Sequence, residues 1–392
     1  MAKLFVFGIG GTGIRVIKSL TMLLASGVDT GKFIDHIVPV IIDVDKGNSD
    51  LTRTVEILKS YETIYSHAAG QKANYKGFFQ TRLTNLFTEA GDEYRLRIMD
   101  VQGKRFGQYI DFETLDDINK DLADLLFSGY QDDNGTPVPL INMDMAIGFQ
   151  GNPKLGCVVL NQFKYNPDFI TFASNFNQED RIFIISSIHG GTGAAGFPLL
   201  LKNLRTADLP TPNPELLRNA VIGAATVLPY FQLKPGDIKS SDFVSKTKAA
   251  LQYYIKNVNP SLNSMYYIGN SANTHSYDNH KGGTQQKNDA HFVELAAAMS
   301  VIDFARQEDN SIADPGKRYL EFGLQDFVNA IDFSVLGNNS REMVQKSLIR
   351  YHFFRTYIEQ QLKTSLNRQP WSNRGRKKIT SDMITSPEGF FK

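Results

Sequence analysis

The chain has 392 residues, of which 42% are hydrophobic and 21% charged, and its formal net charge at pH 7 is +1. This composition is typical of a folded globular protein with one large core or two ordinary ones, and it excludes a wholly disordered or fibrous chain. No apolar run approaches the roughly 18 residues that a membrane-spanning helix requires. We therefore expect a cytoplasmic protein without a membrane segment.

Positive charge is concentrated at the end of the chain. Residues 341–392 contain 11 Lys and Arg against 4 Asp and Glu, a surplus of seven, so residues 1–340 carry a net charge of minus six. The basic end is either a solvated surface or a contact for an acidic protein, a nucleic acid or the acidic body of a second copy. The single cysteine, Cys157, excludes an intramolecular disulfide and is expected to be a small buried side chain.

A glycine loop follows the first apolar strand, Leu4 to Phe7, and leads into a helical pattern from Ile14. Its residues are Gly8, Gly10, Gly11, Thr12 and Gly13. The spacing matches the dinucleotide fingerprint, and the next strand ends at Asp43 and Asp45, where an acidic ribose ligand belongs. These residues predict a phosphate loop and leave open a Rossmann-type oxidoreductase that uses NAD or FAD.

A second glycine loop lies within Arg181 to Pro198, where a β-branched strand leads through glycines into another helix. Its candidate ligand residues are Gly190, Gly191, Thr192 and Gly193. Backbone N–H groups at the positive end of a helix dipole bind phosphate. This stretch therefore predicts where the phosphates of a nucleotide lie.

Between the two loops the sequence predicts further turns and helices. A third glycine-rich turn, Gly148 to Gly156, contains Gly151, Asn152 and Pro153 and allows close approach of backbone to a ligand. Helical patterns cover Leu51–Leu58, Lys76–Phe87 and Glu113–Phe127, and the basic side chains of Asp92–Phe106 are expected at the surface. No Cys and His spacing predicts a metal ion held by the protein alone.

Alternating strands and helices predict an α/β fold with a mostly parallel, Rossmann-like sheet flanked by helices. Later elements are strands at Ala220–Val227 and Met265–Ile268, the latter followed by Asn270, a central helix near Asp289–Arg306, and a long helical pattern from Arg341. We expect a nucleotide-binding domain at 1–288, the central helix at 289–307, a curtailed and largely helical region at 308–370, and a basic flexible tail at 371–392.

The order of these loops resembles the tubulin and FtsZ superfamily, and the chain looks like a divergent bacterial member. The core His189-Gly-Gly-Thr-Gly193 is similar to the signature loop of that family, and the Gly-Asn-Pro turn is similar to an FtsZ pattern. Three residues depart from the pattern: Arg15, His189 and Ala195.

This resemblance implies bound GTP or GDP, Mg²⁺ held through the phosphates near Asp43 or Asp45, and Asn270 close to the guanine base. It further implies self-assembly into filaments or oligomers, with slow GTP hydrolysis at subunit contacts. Asp332, within Asn329–Phe333, is the candidate for water activation. The alternatives are a nucleotide-binding scaffold that does not hydrolyse and recruits a partner through its basic end, and the NAD or FAD oxidoreductase.

Overall fold

The computed structural model describes residues 2–68, 76–87, 89, 91–131, 137–206, 211, 213–233, 240–270, 276–277, 289–325 and 330–362. The predicted tail at 371–392 and Asn329 lie outside these residues. Within the described ranges, no helix is both long and apolar enough to cross a membrane.

The described part of the chain contains eleven strands. In chain order they are β1 (Lys3–Ile9), β2 (His36–Ile42), β3 (Arg82–Leu83), β4 (Tyr130–Gln131), β5 (Pro137–Val138), β6 (Arg181–Ser187), β7 (Val221–Val227), β8 (Gln232–Leu233), β9 (Ser264–Ile268), β10 (Ser276–Tyr277) and β11 (Tyr319–Phe322).

Twelve α-helices are described over the same ranges. They are α1 (Gly10–Ala25), α2 (Ser49–Ala68), α3 (Phe106–Tyr109), α4 (Asp117–Leu126), α5 (Pro153–Val159), α6 (Pro167–Ser174), α7 (Gly191–Arg205), α8 (Pro214–Arg218), α9 (Ser240–Asn257), α10 (Phe292–Arg306), α11 (Asp309–Ile312) and α12 (Asn338–Tyr357). Short 3-10 segments lie at Phe112–Thr114, Leu140–Asn142, Met145–Ile147, Leu160–Tyr165, Asn259–Ser261 and Phe333–Val335, and Ile358–Leu362 continues α12 as a π-helical turn.

Seven of the described strands form one sheet in the order β11-β9-β7-β6-β1-β2-β3, and all of its pairings are parallel. The predicted parallel α/β fold is thereby confirmed. The chain builds outward from β1 in one direction to β3 and later from β6 in the other direction to β11. The strand order therefore reverses between β1 and β6, and a crevice opens at their carboxyl ends.

Helices cover both faces of the sheet because its central strands are apolar throughout. Side chains of β1 alternate between the two faces. Leu4 and Val6 join the core formed with α1, α10 and α12, whereas Phe5 and Phe7 join the core formed with α6 and α7. The two cores explain why β1 reads as a continuous apolar run instead of an alternating one.

Three sequence-based expectations about local structure are wrong. Residues 76–87 form turns and β3 instead of a helix, and Gly77 and Phe79 adopt positive φ angles that interrupt helical geometry. Cys157 is exposed because it lies on the outward side of α5. Arg95 is buried, with 6% of its surface exposed, although the charge pattern placed it at the surface.

Candidate functional site

The crevice between β1 and β6 receives the amino ends of two helices. α1 begins at Gly10 and α7 at Gly191, directly after these two neighbouring strands. Neither helix has a side-chain cap at its first turn, and neither carries an acidic residue there. Two positive helix ends with exposed backbone donors therefore meet at one point, which is an arrangement suited to an anion.

The two glycine loops are in direct contact at this crevice. A Cβ placed on Gly10 would lie 3.3 Å from both the amide nitrogen of Gly193 and the Cβ of Thr192. Gly10 also has a φ of +70°, a left-handed conformation that glycine adopts without strain. The two loops that were predicted separately from the sequence thus lie against each other.

The glycines of the first loop serve two purposes. A Cβ on Gly13 would lie 2.5 Å from the carbonyl carbon of Gly8, so these two glycines allow α1 to pack tightly against β1. An added Cβ on Gly11, by contrast, would make only ordinary contacts, with Arg15 and Asn48 as its nearest neighbours at 3.5 and 3.7 Å. Gly11 is therefore packed less tightly than Gly8, Gly10 and Gly13.

The predicted Gly-Asn-Pro turn is placed against the second loop. A Cβ on Gly191 would lie 3.2 Å from the amide nitrogens of both Gly151 and Asn152. Lys246 of α9 donates a hydrogen bond to the Gly151 carbonyl at 2.7 Å and so holds the turn in place. The turn connects the 3-10 segment Met145–Ile147 to α5, and Lys246 adds a positive charge beside it.

Two buried carboxylates follow β2, as predicted. Asp43 is 5% exposed and Asp45 is 4% exposed. Burial raises the pKa of Asp43 to about 7, and the nearby charge of Asp45 acts in the same direction, against the lowering effect of the Asp45 backbone N–H and of Arg95. Asp43 therefore changes its protonation state near neutral pH, which makes its affinity for a cation dependent on pH.

Arg15 lies at the floor of the crevice and forms a buried ion pair that the sequence did not predict. Its Nε donates to Glu294 Oε1 at 2.6 Å, and its Nη2 donates to the Tyr230 hydroxyl at 3.0 Å. Asp50 adds a second carboxylate at 3.6 Å. Burial lowers the pKa of Arg15, but Tyr230, Glu294 and Asp50 outweigh it and raise that pKa above its ordinary value. The guanidinium is therefore fixed in its charged form.

Glu294, at the start of α10, keeps one acceptor atom without a hydrogen-bond partner. Its Oε2 is buried and makes no hydrogen bond in the structure, while Oε1 accepts from Arg15. A buried, unsatisfied carboxylate oxygen costs about 1–3 kcal/mol or more unless a donor reaches it. This oxygen therefore suits an N–H group of a ligand.

Aromatic rings line the side of the crevice toward α10. His189 is buried edge-on against Phe231 at 5.8 Å between ring centroids, and Tyr230 lies 4.7 Å from His291. Burial lowers the pKa of His189 to about 4, and Arg15 and Lys246 act in the same direction. The imidazole that replaces the first glycine of the signature is therefore neutral at physiological pH.

Asn270 lies at the same edge of the sheet as the loops. It is buried at the end of β9, two strands away from β6, which corresponds to roughly 10 Å at the usual strand spacing. Asn270 is therefore separated from the glycine loops by about the width of β7.

Asp332, the residue predicted to activate water, lies near the start of α10. It is exposed, and its carboxylate accepts hydrogen bonds from the Ser334 backbone at 2.7 Å and from the Ser334 hydroxyl. These contacts lower its pKa. The neighbouring Phe333 contacts Phe292 at the start of α10, so Asp332 is near the opposite end of α10 from the connection that follows this helix.

That connection carries two exposed acids, Glu308 and Asp309. Asp309 pairs with Arg181 at 2.6 Å, where β6 begins, so the connection lies at the amino edge of the sheet, opposite the glycine loops. Sequence reasoning missed these acids, although their position directly after α10 is visible in the sequence. It also missed Glu294 and Lys246, because only the tertiary contacts show their proximity to the loops.

Among the described residues, no group of three or more His, Cys, Asp or Glu side chains is arranged to hold a metal ion. At Gly190 and Gly191 an added Cβ would lie 2.7 Å from the Ser187 hydroxyl and 2.8 Å from Phe149, so neighbouring side chains pack closely on both glycines.

Comparisons with known proteins returned structures but no sequence families. No family model matches the chain, and no curated protein matches it. The solved structures that are similar to it include a GTPγS-bound protofilament of CetZ2 from Haloferax volcanii, with a TM-score of 0.35 and 13% identity over 79% of this chain and 59% of that one.

Two further structures are similar at the same level. CetZ from Methanosaeta thermophila gives a TM-score of 0.33 and 13% identity over 78% of this chain and 51% of that one. A GTPγS-form protofilament of TubZ from Bacillus thuringiensis serovar israelensis gives a TM-score of 0.31 and 13% identity over 88% of this chain and 69% of that one. The chain thus spans between half and three fifths of the two CetZ chains. These three structures are CetZ and TubZ proteins of the tubulin and FtsZ family, the family that the loop order of this sequence resembles.

Proposed function

We propose that this chain binds a guanine nucleotide at the crevice between β1 and β6. The observation that carries the proposal is the meeting of the α1 and α7 amino ends, both uncapped by side chains and both opening from glycine loops in mutual contact. Because each helix end presents backbone donors and a positive dipole, a polyphosphate satisfies both at once.

In this proposal the backbone N–H groups of Gly10, Gly11, Gly191, Thr192 and Gly193 hold the phosphates. The Thr192 hydroxyl is an added donor, and Lys246 supplies positive charge beside the Gly151 turn. Mg²⁺ bound to the phosphates would neutralise part of their charge, with Asp43 and Asp45 as the protein's own oxygen ligands. Since Asp43 has a pKa of about 7, coordination through its carboxylate releases a proton near neutral pH.

For the base we propose contacts at Asn270 and Glu294. The unsatisfied Oε2 of Glu294 is an acceptor only, so it favours a base that presents N–H donors. Guanine presents two adjacent donor groups on its Watson–Crick edge, whereas adenine presents an acceptor beside its single amino group. The buried carboxylate therefore supports GTP over ATP.

We further propose that the protein self-assembles and that a neighbouring copy contributes to slow GTP hydrolysis. The resemblance of the loops supports this part of the proposal. Asp332 remains the candidate named from the sequence, and Glu308 and Asp309 are second candidates because they directly follow α10 at the edge opposite the glycine loops.

Titration of the purified chain with GTP, ATP and NAD, each with and without Mg²⁺, tests the proposal. We expect GTP to bind at least tenfold more tightly than ATP and NAD. Tight NAD binding without GTP binding would support the oxidoreductase alternative instead. GTP binding with neither phosphate release nor sedimentable assemblies would support the non-hydrolysing scaffold.

A matched pair of variants tests the location of the site. Gly190 is the N-cap of α7 with a φ of −78°, which any residue adopts, and the nearest atom to an added Cβ is the Ser187 hydroxyl at 2.7 Å. Gly190→Asp and Gly190→Asn both supply a good helix cap and differ only in charge. We expect the Asp variant to bind GTP at least tenfold more weakly than the Asn variant, a difference of about 1.4 kcal/mol or more. Equal affinities would place the phosphates elsewhere.

A further inference from the structure

The helix α4 presents an unpartnered apolar stripe to solvent. Ile118 and Leu125 are 82% and 74% exposed, and Leu122 and Leu126 are about half exposed at 49% and 50%. Their spacing of four, seven and eight residues from Ile118 places all four side chains on one side of the helix. We call these four residues the α4 stripe.

Little of α4 is held by the core of its own copy. Ala123 is its only buried residue among the ten from Asp117 to Leu126. The helix is attached at its end, where Phe127 packs edge-on against Phe106 at 4.7 Å between ring centroids. A helix this short is marginal in water unless an amphipathic face packs against something, and here that face points outward.

Acidic side chains surround the α4 stripe. Residues 113–126 contain five exposed acids and one lysine, a net charge of minus four. The acids are Glu113, Asp116, Asp117, Asp121 and Asp124. The partner that this surface fits is therefore a basic segment that also carries apolar side chains.

The chain itself contains such a segment after α12. Residues 363–392 contain seven Lys and Arg against two acids, a net charge of plus five, and the only tryptophan of the chain, Trp371. Their other large apolar residues are Leu366, Ile379, Met383, Ile384, Phe390 and Phe391. Charge and apolar content are thus complementary to the α4 stripe.

The two elements lie on opposite faces of the sheet. α12 packs on the α1 side, where Tyr351 and Phe354 contact Phe78 at 5.7 and 5.0 Å between ring centroids. α4 is attached through Phe127 to the other core. The point at which residues 363–392 continue from the described chain is therefore associated with the face of the sheet opposite α4.

We propose that residues 363–392 of one copy dock on the α4 stripe of a second copy. Burial of apolar side chains and attraction between the acidic α4 surface and the basic tail stabilise the contact. Because the two surfaces are different, the contact is heterologous. Repetition of a heterologous contact builds rings or open filaments. This proposal does not require a bound nucleotide.

The test uses the full chain without nucleotide and in EDTA, so that its outcome is independent of GTP binding. The α4 variant is Ile118→Ser with Leu125→Ser, and the tail variant is Lys377→Glu with Lys378→Glu. Ile349→Ser with Phe353→Ser is the matched control, because these α12 side chains are also exposed, at 47% and 69%. Sedimentation velocity measures self-association, and Trp371 fluorescence reports on the tail.

We expect the wild type and the control to self-associate. Self-association should be about tenfold or more weaker in the α4 variant and in the tail variant than in these two proteins. Mixing those two variants should give one-to-one dimers, because the α4 variant supplies an intact tail and the tail variant an intact α4, while the altered surfaces prevent further growth. Trp371 emission should shift to the red in the α4 variant. Any of three results would overturn the proposal. The α4 variant could sediment as the wild type does, the mixture could associate no more strongly than either variant alone, or Trp371 emission could respond only to added DNA.

Discussion

The buried pair of Arg15 and Glu294 offers a quantitative test of how the site is built. Replacement of Arg15 by Met keeps an unbranched apolar stem of similar shape and removes the guanidinium charge. Glu294, whose side chain is 1% exposed, then loses the only cationic partner that it has among the described residues. Asp50 keeps cationic partners after this replacement, because Lys18 and Arg53 each lie 3.7 Å from it. The cost of the change should therefore come mainly from Glu294.

Removing one partner of a buried ion pair costs about 3–5 kcal/mol, whereas replacing both partners with apolar groups is often neutral. We expect Arg15→Met to lower the free energy of unfolding by about 3–5 kcal/mol. The double variant Arg15→Met with Glu294→Met should recover most of that loss. The coupling energy of the cycle should exceed about 2 kcal/mol.

Urea unfolding followed by circular dichroism measures these values, with the m value as a check that unfolding stays two-state. Glu294→Met alone completes the cycle, and Arg15 then still has Asp50 and the Tyr230 hydroxyl as partners. A loss below about 1 kcal/mol for Arg15→Met, or single-variant losses that simply add, would refute the view that this pair is buried and mutually dependent.

The remaining predictions concern pH and packing. Because burial raises the pKa of Asp43 from 3.8 to about 7, its contribution to stability is present at low pH and is lost as the pH rises toward 7. The loss of unfolding free energy between pH 5 and pH 8 should be about 2 kcal/mol larger in the wild type than in Asp43→Asn. Equal losses in the two proteins would show that Asp43 titrates normally. Gly13→Ala should destabilise the chain by about 1–3 kcal/mol, since its Cβ would lie 2.5 Å from the Gly8 backbone. Gly11→Ala, whose nearest neighbour is 3.5 Å away, should be neutral or stabilising in the same urea titration, and equal losses in the two variants would contradict the assigned packing.

Gly193 is less suitable than Gly190 for a test of binding at the second loop. A Cβ on Gly193 would lie 2.9 Å from the Ser187 amide nitrogen and 3.0 Å from its carbonyl oxygen. Substitution of Gly193 therefore disturbs the fold and cannot isolate a loss of binding. Gly190, at the open end of the same loop, separates the two effects.

Much of the fold followed from local pattern. The second loop, its strand and its helix were placed correctly because apolar periodicity and glycine turns are properties of neighbouring residues. The structure of residues 76–87 was predicted incorrectly. Their apolar spacing indicated a helix, whereas Gly77 and Phe79 adopt positive φ angles that interrupt one.

The sequence by itself determined a parallel α/β sheet, the positions of the glycine loops and the contrast between an acidic body and a basic end. Only the tertiary structure decided that the two glycine loops touch, and that Arg15 pairs with Glu294, 279 residues away. It alone decided that the apolar side of α4 faces outward. The physical reason is that periodicity identifies an apolar face, whereas what that face contacts depends on the arrangement of the whole chain.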